Sequence, residues 1–146
     1  MKYDRVIFVC QDNTCRSIMA EAIMNSIKKE DLEVMSRGVV VLFSEPINPK
    51  VVPILKNYGL EPMKESSQEL SPVDIAPCTL VLTMTAREKK ITQEHFPKYP
   101  DIYTMGEYSG QEGDIEEPRS GSLADYGACY EYIDFIVKMI AEKIFN

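Results

Sequence analysis

Arg5-Val6-Ile7-Phe8-Val9-Cys10-Gln11-Asp12-Asn13-Thr14-Cys15-Arg16-Ser17 is the stretch that decides the fold. Val6 to Val9 are apolar and largely β-branched, the composition of a strand buried on both faces of a parallel sheet. After Ser17 the residues Ile18, Ala22, Ile23 and Ile27 recur at helical spacing, with Ala20 and Glu21 as good helix formers, which predicts a helix from Ser17 to about Lys29. The stretch therefore reads as strand, short polar loop and helix.

The same alternation continues outward. Leu32 to Met35 is predicted to be a second strand, and Pro49 to Tyr58 a helix closed by Gly59. Thr79 to Met84 reads as a buried strand, Ala86 to His95 as a helix, and Ile102 to Thr104 as a last short strand. Tyr126, Cys129, Tyr130, Ile133, Ile136, Val137, Ile140 and Ile144 form one apolar stripe of a C-terminal helix, and the Gly-rich acidic segment from Glu107 to Gly121 before it reads as irregular. Strands alternating with helices predict one α/β domain over residues 1–146, with about four parallel strands and helices on both faces.

The 146 residues suit one domain and contain no apolar run long enough to span a bilayer, so no membrane partner is expected. The first residues lack the pattern of a secretory signal, so a cytoplasmic location is expected and the four cysteines read as thiols. A formal net charge of -7 leaves no basic surplus for nucleic acid. No zinc-type Cys/His spacing occurs, so neither metal nor cofactor is expected. His95, the single histidine, reads as a solvated or capping residue at a helix end, and Cys78 and Cys129 as core thiols.

A loop between a buried strand and a helix can turn its backbone N–H groups, here those of Cys10 to Ser17, onto one anion at the helix N-terminus. The positive end of the helix is expected to lower the pKa of Cys10 and make it a usable nucleophile. Five residues on, Arg16 supplies a planar fork able to grip two phosphate oxygens. Asn13 also reads as a turn former, Ser17 as a helix cap, and Cys15 as core filler.

The string Cys10-Gln11-Asp12-Asn13-Thr14-Cys15-Arg16-Ser17 resembles the phosphate loop of the low-molecular-weight protein tyrosine phosphatase family, Cys-x-x-Asn-x-Cys-Arg-Ser. The similarity extends through Ala20-Glu21, Ser36-Arg37-Gly38, Leu80 to Met84 and Asp114 to Pro118, essentially the whole chain. The resemblance implies a protein phosphatase acting on a phosphorylated protein through a phosphocysteine. It assigns Cys10 as nucleophile, Arg16 as phosphate clamp, Asn13 as loop brace and Ser17 as hydroxyl donor to the thiolate, with Gln11, Asp12, Thr14 and Cys15 completing the loop. Cys15 is also a candidate redox partner of Cys10 in a reversible disulfide.

A leaving phenolate or guanidine needs a proton, which the family takes from an aspartate before a proline. Here Glu117 precedes Pro118, with Asp114 three residues earlier as the alternative. Asp12, Ile18 and Arg119 depart from the family's usual glycine, proline and aromatic. Asp12 is tolerable if the family glycine's backbone has positive φ, a region aspartate visits more readily than most residues. Its carboxylate either points inward against the phosphate or outward.

Thr14 stands where the family's tyrosine phosphatases carry a larger aliphatic and its phosphoarginine phosphatases carry threonine. The string Asn13-Thr14-Cys15-Arg16-Ser17 resembles the arginine-specific subgroup, phosphotyrosine being the alternative; Arg119 removes an aromatic wall for a phenyl ring, but both subgroups normally carry that aromatic, so it counts against close identity with either. The further cysteines of arsenate reductases on this fold are absent, and a phosphate-binding module without turnover is the reading from another class.

Overall fold

The computed structural model describes residues 2–29, 31–118 and 121–146. Its centre is the first predicted strand, β1 (Arg5–Cys10), followed by α1 (Arg16–Ile27), β2 (Glu33–Gly38), α2 (Val51–Asn57), β3 (Thr79–Thr83), α3 (Ala86–His95), β4 (Ile102–Thr104), α4 (Met105–Ser109) and α5 (Leu123–Phe145). All four strands are parallel, in the order β2-β1-β3-β4. The order reverses at β1, so the crevice beyond the carboxyl ends of β1 and β3 is where such a sheet exposes a site.

Alternation along β1 divides the core. Val6, Phe8 and Cys10 face the layer built from α1 and α5, whose Ile133, Ile136, Val137, Ile140 and Ile144 realise the predicted stripe. Ile7 and Val9 meet Val81 and Ile102 beneath Ile91, Phe96 and Tyr99 of the opposite layer. Both faces are covered, as the strand's continuous apolar run requires. Among the described residues no helix is long and apolar enough to cross a membrane.

Several expectations need correction. The second strand runs three residues past Met35, because Ser36, Arg37 and Gly38 pair with Phe8, Val9 and Cys10. Distant partners make these polar residues compatible with a strand: Ser36 donates to buried Glu21 at 2.7 Å, and Arg37 pairs with Asp74 at 3.0 Å. The segment starting at Glu107 is not irregular throughout, since α4 covers its first residues and is capped by Thr104 and Glu107. Cys78 is exposed rather than in the core. It occupies a left-handed turn (φ 63°) whose carbonyl accepts the N–H of Asp4 and Arg5.

Gly38 is the point where β2 touches the loop between β1 and α1. A Cβ there would lie 2.7 Å from Val41 Cγ2, 3.0 Å from the Asp12 carbonyl carbon and 3.2 Å from Asn13 N. Gly38→Ala is therefore expected to cost about 1–3 kcal/mol in denaturant unfolding and to weaken vanadate binding, because the added methyl pushes on the loop backbone. Unchanged stability and unchanged vanadate affinity would show that the loop does not depend on this close approach.

Candidate active site

The loop between β1 and α1 is held by residues 39–40 and by Asn48. Val39 N–H donates to the Cys10 carbonyl at 3.0 Å, Val40 N–H to Gln11 at 3.3 Å, and Asn48 N–H to Thr14 at 3.1 Å. The left-handed residue is Asn13 (φ 60°) and not Asp12, which has no positive φ. Asparagine tolerates that conformation well. In place of pointing simply inward or outward, the Asp12 carboxylate turns back on its own loop, where Oδ1 accepts from Thr14 N at 3.2 Å and Thr14 Oγ1 at 3.1 Å.

Asn13, Ser17 and Cys10 form one directed chain. Asn13 Oδ1 accepts from Gln68 N at 3.0 Å, which fixes the amide so that Nδ2 donates to Ser17 Oγ at 2.7 Å. With its oxygen accepting from Asn13, the Ser17 hydroxyl has its own proton for Cys10 Sγ, 2.9 Å away. Ser17 lies inside α1 and does not cap it. The N-cap position falls at Cys15, whose side chain makes no capping bond.

Cys10 is fully buried, and burial pushes its thiol up, while Arg16 and the hydroxyl and backbone of Ser17 pull it down. The net direction is upward, a correction to the lowered thiol expected from the helix N-terminus, because desolvation of the sulfur outweighs these attractions. Cys15 is equally enclosed, and burial raises its thiol far above the ordinary range. Cys129 is half-buried on α5 and is pushed up to about 11, chiefly by burial. Ile18 is packed wholly in the core and takes no part in the cleft.

Arg16 is 3% exposed and is engaged by two segments. Nη2 pairs with Glu88 Oε2 at 2.9 Å, and Nη1 donates to the Ile115 carbonyl at 2.9 Å. Its Nε is buried without a partner among the described residues. Glu88 itself accepts from Met84 N and Thr85 N, each at 3.1 Å, and closes a capping box with Thr85 at the start of α3. Burial raises its carboxyl, opposed by Arg16 and the two amides. Sequence reasoning gave Glu88 no role; the Thr85-x-x-Glu88 spacing ahead of a predicted helix was the available signal.

Glu117 and Asp114 separate cleanly. Glu117 is half-buried in a cleft of about 810 Å³ with Gln11, Asp12, Thr14, Arg16 and Tyr126. Its carboxyl is raised by burial and then by the charge of Asp12, with Arg16 acting in the opposite sense. Asp114 lies outside this cleft and accepts the Ala86 N–H at 2.9 Å. The acid-bearing segment is pinned by Ile115 N–H to the Met84 carbonyl at 2.8 Å and by Lys50 Nζ to the Gly121 carbonyl. Arg119 lies outside the described residues. Tyr126, which sequence reading placed only on the apolar stripe, also lines the cleft, its hydroxyl accepting from Asn48.

The chain is similar to known proteins over nearly all its length. A family described as "Low molecular weight phosphotyrosine protein phosphatase" matches residues 5–145. A protein-arginine-phosphatase of Geobacillus stearothermophilus is 34% identical over 142 residues, spanning 96% of this chain and 95% of its own. A low molecular weight protein-tyrosine-phosphatase of Staphylococcus haemolyticus is 31% identical, over 91% and 94% of the two chains. A solved structure of the YwlE arginine phosphatase, a cysteine-to-serine variant with phosphorylated active-site serine, superposes with a TM-score of 0.87 at 29% identity, covering 97% of this chain and 96% of that one.

Two outcomes follow from the hydrogen-bond chain and the buried pair. Ser17→Ala removes a donor to sulfur, so the thiolate ultraviolet absorbance of Cys10, taken against Cys10→Ser, should develop at higher pH than in the wild type; an unmoved or lower midpoint contradicts the Ser17 geometry. Glu88→Ala leaves the Arg16 guanidinium buried without its carboxylate and should cost about 3–5 kcal/mol in denaturant unfolding. A loss under about 1 kcal/mol would mean that Arg16 finds another partner or water.

Proposed function

The chain belongs to the low molecular weight phosphotyrosine protein phosphatase family, cysteine-dependent phosphatases, and from that premise we propose that it hydrolyses phosphorylated arginine side chains of proteins through a phosphocysteine at Cys10. The observation that carries the reading is the hydroxyl-bonded Cys10 Sγ at the end of the Asn13–Ser17 chain, with Arg16 Nε unpartnered in the same buried site.

The reaction can be written with every proton placed. Burial raises the Cys10 thiol, and in the proposed step an incoming phosphoryl dianion accepts the thiol proton on one oxygen as it settles onto the loop. Arg16 Nε, with Nη hydrogens not spent on Glu88 and Ile115, grips the phosphoryl oxygens. Sulfur attacks phosphorus, and the P–N bond breaks with its electron pair going to nitrogen, which takes the proton of Glu117. Water then attacks the phosphocysteine, the Glu117 carboxylate accepts its proton, the S–P pair returns to Cys10, and the sulfur takes back its proton from the departing phosphate, which leaves as the dianion.

Glu117 suits the acid role because burial and Asp12 hold its carboxyl above the ordinary glutamate range, so it keeps its proton to higher pH. The engagement of Asp114 with α3 supports Glu117 over it. Oxidative pairing of Cys10 with Cys15 by peroxide, which is reduced to water as the two thiols lose their protons and form one S–S bond, is part of the proposal, since both lie on one short loop, as is a cytoplasmic location. Phosphoarginine is favoured because Thr14 lines a cleft that also contains Asp12, Glu45, Glu116 and Glu117, surroundings suited to a polar, N–H-bearing guanidine. Phosphotyrosine is the second reading, and Tyr126 favours it by offering a ring in the cleft.

Hydrolysis of matched phosphoarginine, phosphotyrosine and phosphoserine peptides is the test, with phosphoarginine expected to turn over fastest and Cys10→Ser to abolish turnover while retaining vanadate binding. Vanadate binding without turnover on any peptide would instead indicate a phosphate-binding module. Glu117→Gln should slow phosphopeptides far more than activated aryl phosphates, which need little protonation of the leaving group. The alkaline limb of wild-type kcat/KM should disappear in Glu117→Gln; its persistence assigns the acid elsewhere.

A further inference from the structure

We infer that Asp12 is a specificity residue for the leaving group: by engaging Thr14 and placing a negative charge in the cleft, it selects a phosphorylated guanidine over a phosphorylated phenol. The inference rests on the phosphoarginine reading above and adds the residue that reads the guanidine.

Hydrogen-bond direction carries the first half. Thr14 Oγ1 lies 3.1 Å from Asp12 Oδ1, and the carboxylate can only accept, so the hydroxyl proton is directed at Asp12. Thr14 N–H is committed to the same oxygen at 3.2 Å. What the Thr14 side chain can still present to a ligand is therefore lone pairs. A phosphorylated guanidine carries N–H donors next to the P–N bond, whereas the phenyl ring of a phosphotyrosine has none there. Leaving buried lone pairs opposite an apolar ring is the mismatch by which a site built for hydrogen bonding rejects the wrong substrate.

Charge carries the second half. The cleft is lined by Asp12, Glu45, Glu116 and Glu117 on the acidic side, and of its two arginines Arg16 is already paired with Glu88. Asp12 is near enough to Glu117 to raise its carboxyl. A carboxylate beside a phosphate site penalises any phosphate ester, but a guanidine with cationic character offsets that repulsion and a neutral phenol does not. The family usually carries glycine at this loop position, so neither contribution is generic to the loop.

The experiment compares kcat/KM on matched phosphoarginine and phosphotyrosine peptides for wild type, Asp12→Asn and Asp12→Gly. Asparagine can keep the Oδ1 acceptor and loses the charge, so the arginine-to-tyrosine ratio should fall at least threefold. Glycine loses both and should lower it about tenfold, roughly 1.4 kcal/mol. In a Thr14→Val background the drop on Asp12→Gly should shrink toward the asparagine value, because only the charge remains to be lost. Thermal melting and vanadate binding identify folded variants, and either one alone supplies the ratio.

A ratio that moves less than threefold in both variants, through equal losses on the two peptides, makes Asp12 structural and overturns the inference while the phosphoarginine reading stands. A wild type that hydrolyses phosphotyrosine but not phosphoarginine overturns that reading and this inference with it.

Discussion

The buried pair of Arg16 and Glu88, 2.9 Å apart with both side chains almost wholly enclosed, is the constraint on which the site is built. A guanidinium does not give up its proton in a protein, so burying it at the mouth of a sheet demands an opposite charge already in place. Glu88 meets that demand while also capping α3, and the second arm of Arg16 reaches the Ile115 carbonyl, two residues ahead of Glu117. One side chain thus ties together the loop after β1, the helix after β3 and the segment bearing the proposed acid. Such a pair adds little net stability over an apolar substitute, and its return is geometric: it specifies which nitrogens of Arg16 are taken and which one remains.

Around that pair the loop is defined by what lies behind it. β2 continues as far as Gly38 so that its end can back directly against Asp12 and Asn13. The left-handed turn at Asn13 sends its side chain in two directions at once, to the Gln68 N–H and to Ser17. The strand, the turn and the hydroxyl under Cys10 are therefore one mechanical unit. This explains why a string of eight residues is informative only when a β-strand precedes it and a helix follows.

The sheet was legible because Val6 to Val9 and Leu80 to Leu82 are buried on both faces and need no partner outside the pattern to be recognised. The hydrogen bonds from Asn13 to Ser17 and from Ser17 to Cys10 are local, within seven residues, so the loop's own spacing was enough to suggest them. What escaped depended on distance in the chain. The last three residues of β2 are polar and become strand only through Glu21, Asp74 and the pairing with β1. Glu88 looks like any first-turn glutamate until Arg16, 72 positions away, is placed against it. The Cys10 thiol was misjudged in direction because a helix N-terminus is visible in sequence and complete burial of a sulfur is not. Cys78 failed for the converse reason, since a thiol beside a buried strand is exposed when a left-handed turn intervenes.

A chain with a net charge of -7 and a cleft lined by more carboxylates than arginines is an unusual host for a phosphate. Long-range fields cannot draw an anionic side chain to it, so recognition has to be completed at contact distance by the cleft's arginines and by backbone and hydroxyl donors. Those donors are indifferent to what the phosphoryl group is attached to, and discrimination therefore falls to the groups that meet the leaving side. There the cleft presents Asp12, the Thr14 oxygen it holds, and Glu117, groups that accept hydrogen bonds or carry negative charge. Surroundings of that kind gain from a leaving group with N–H donors and partial positive charge, and lose with a neutral ring. The acidity that opposes binding of phosphate as such is, on this view, the source of the preference for the side chain that bears it.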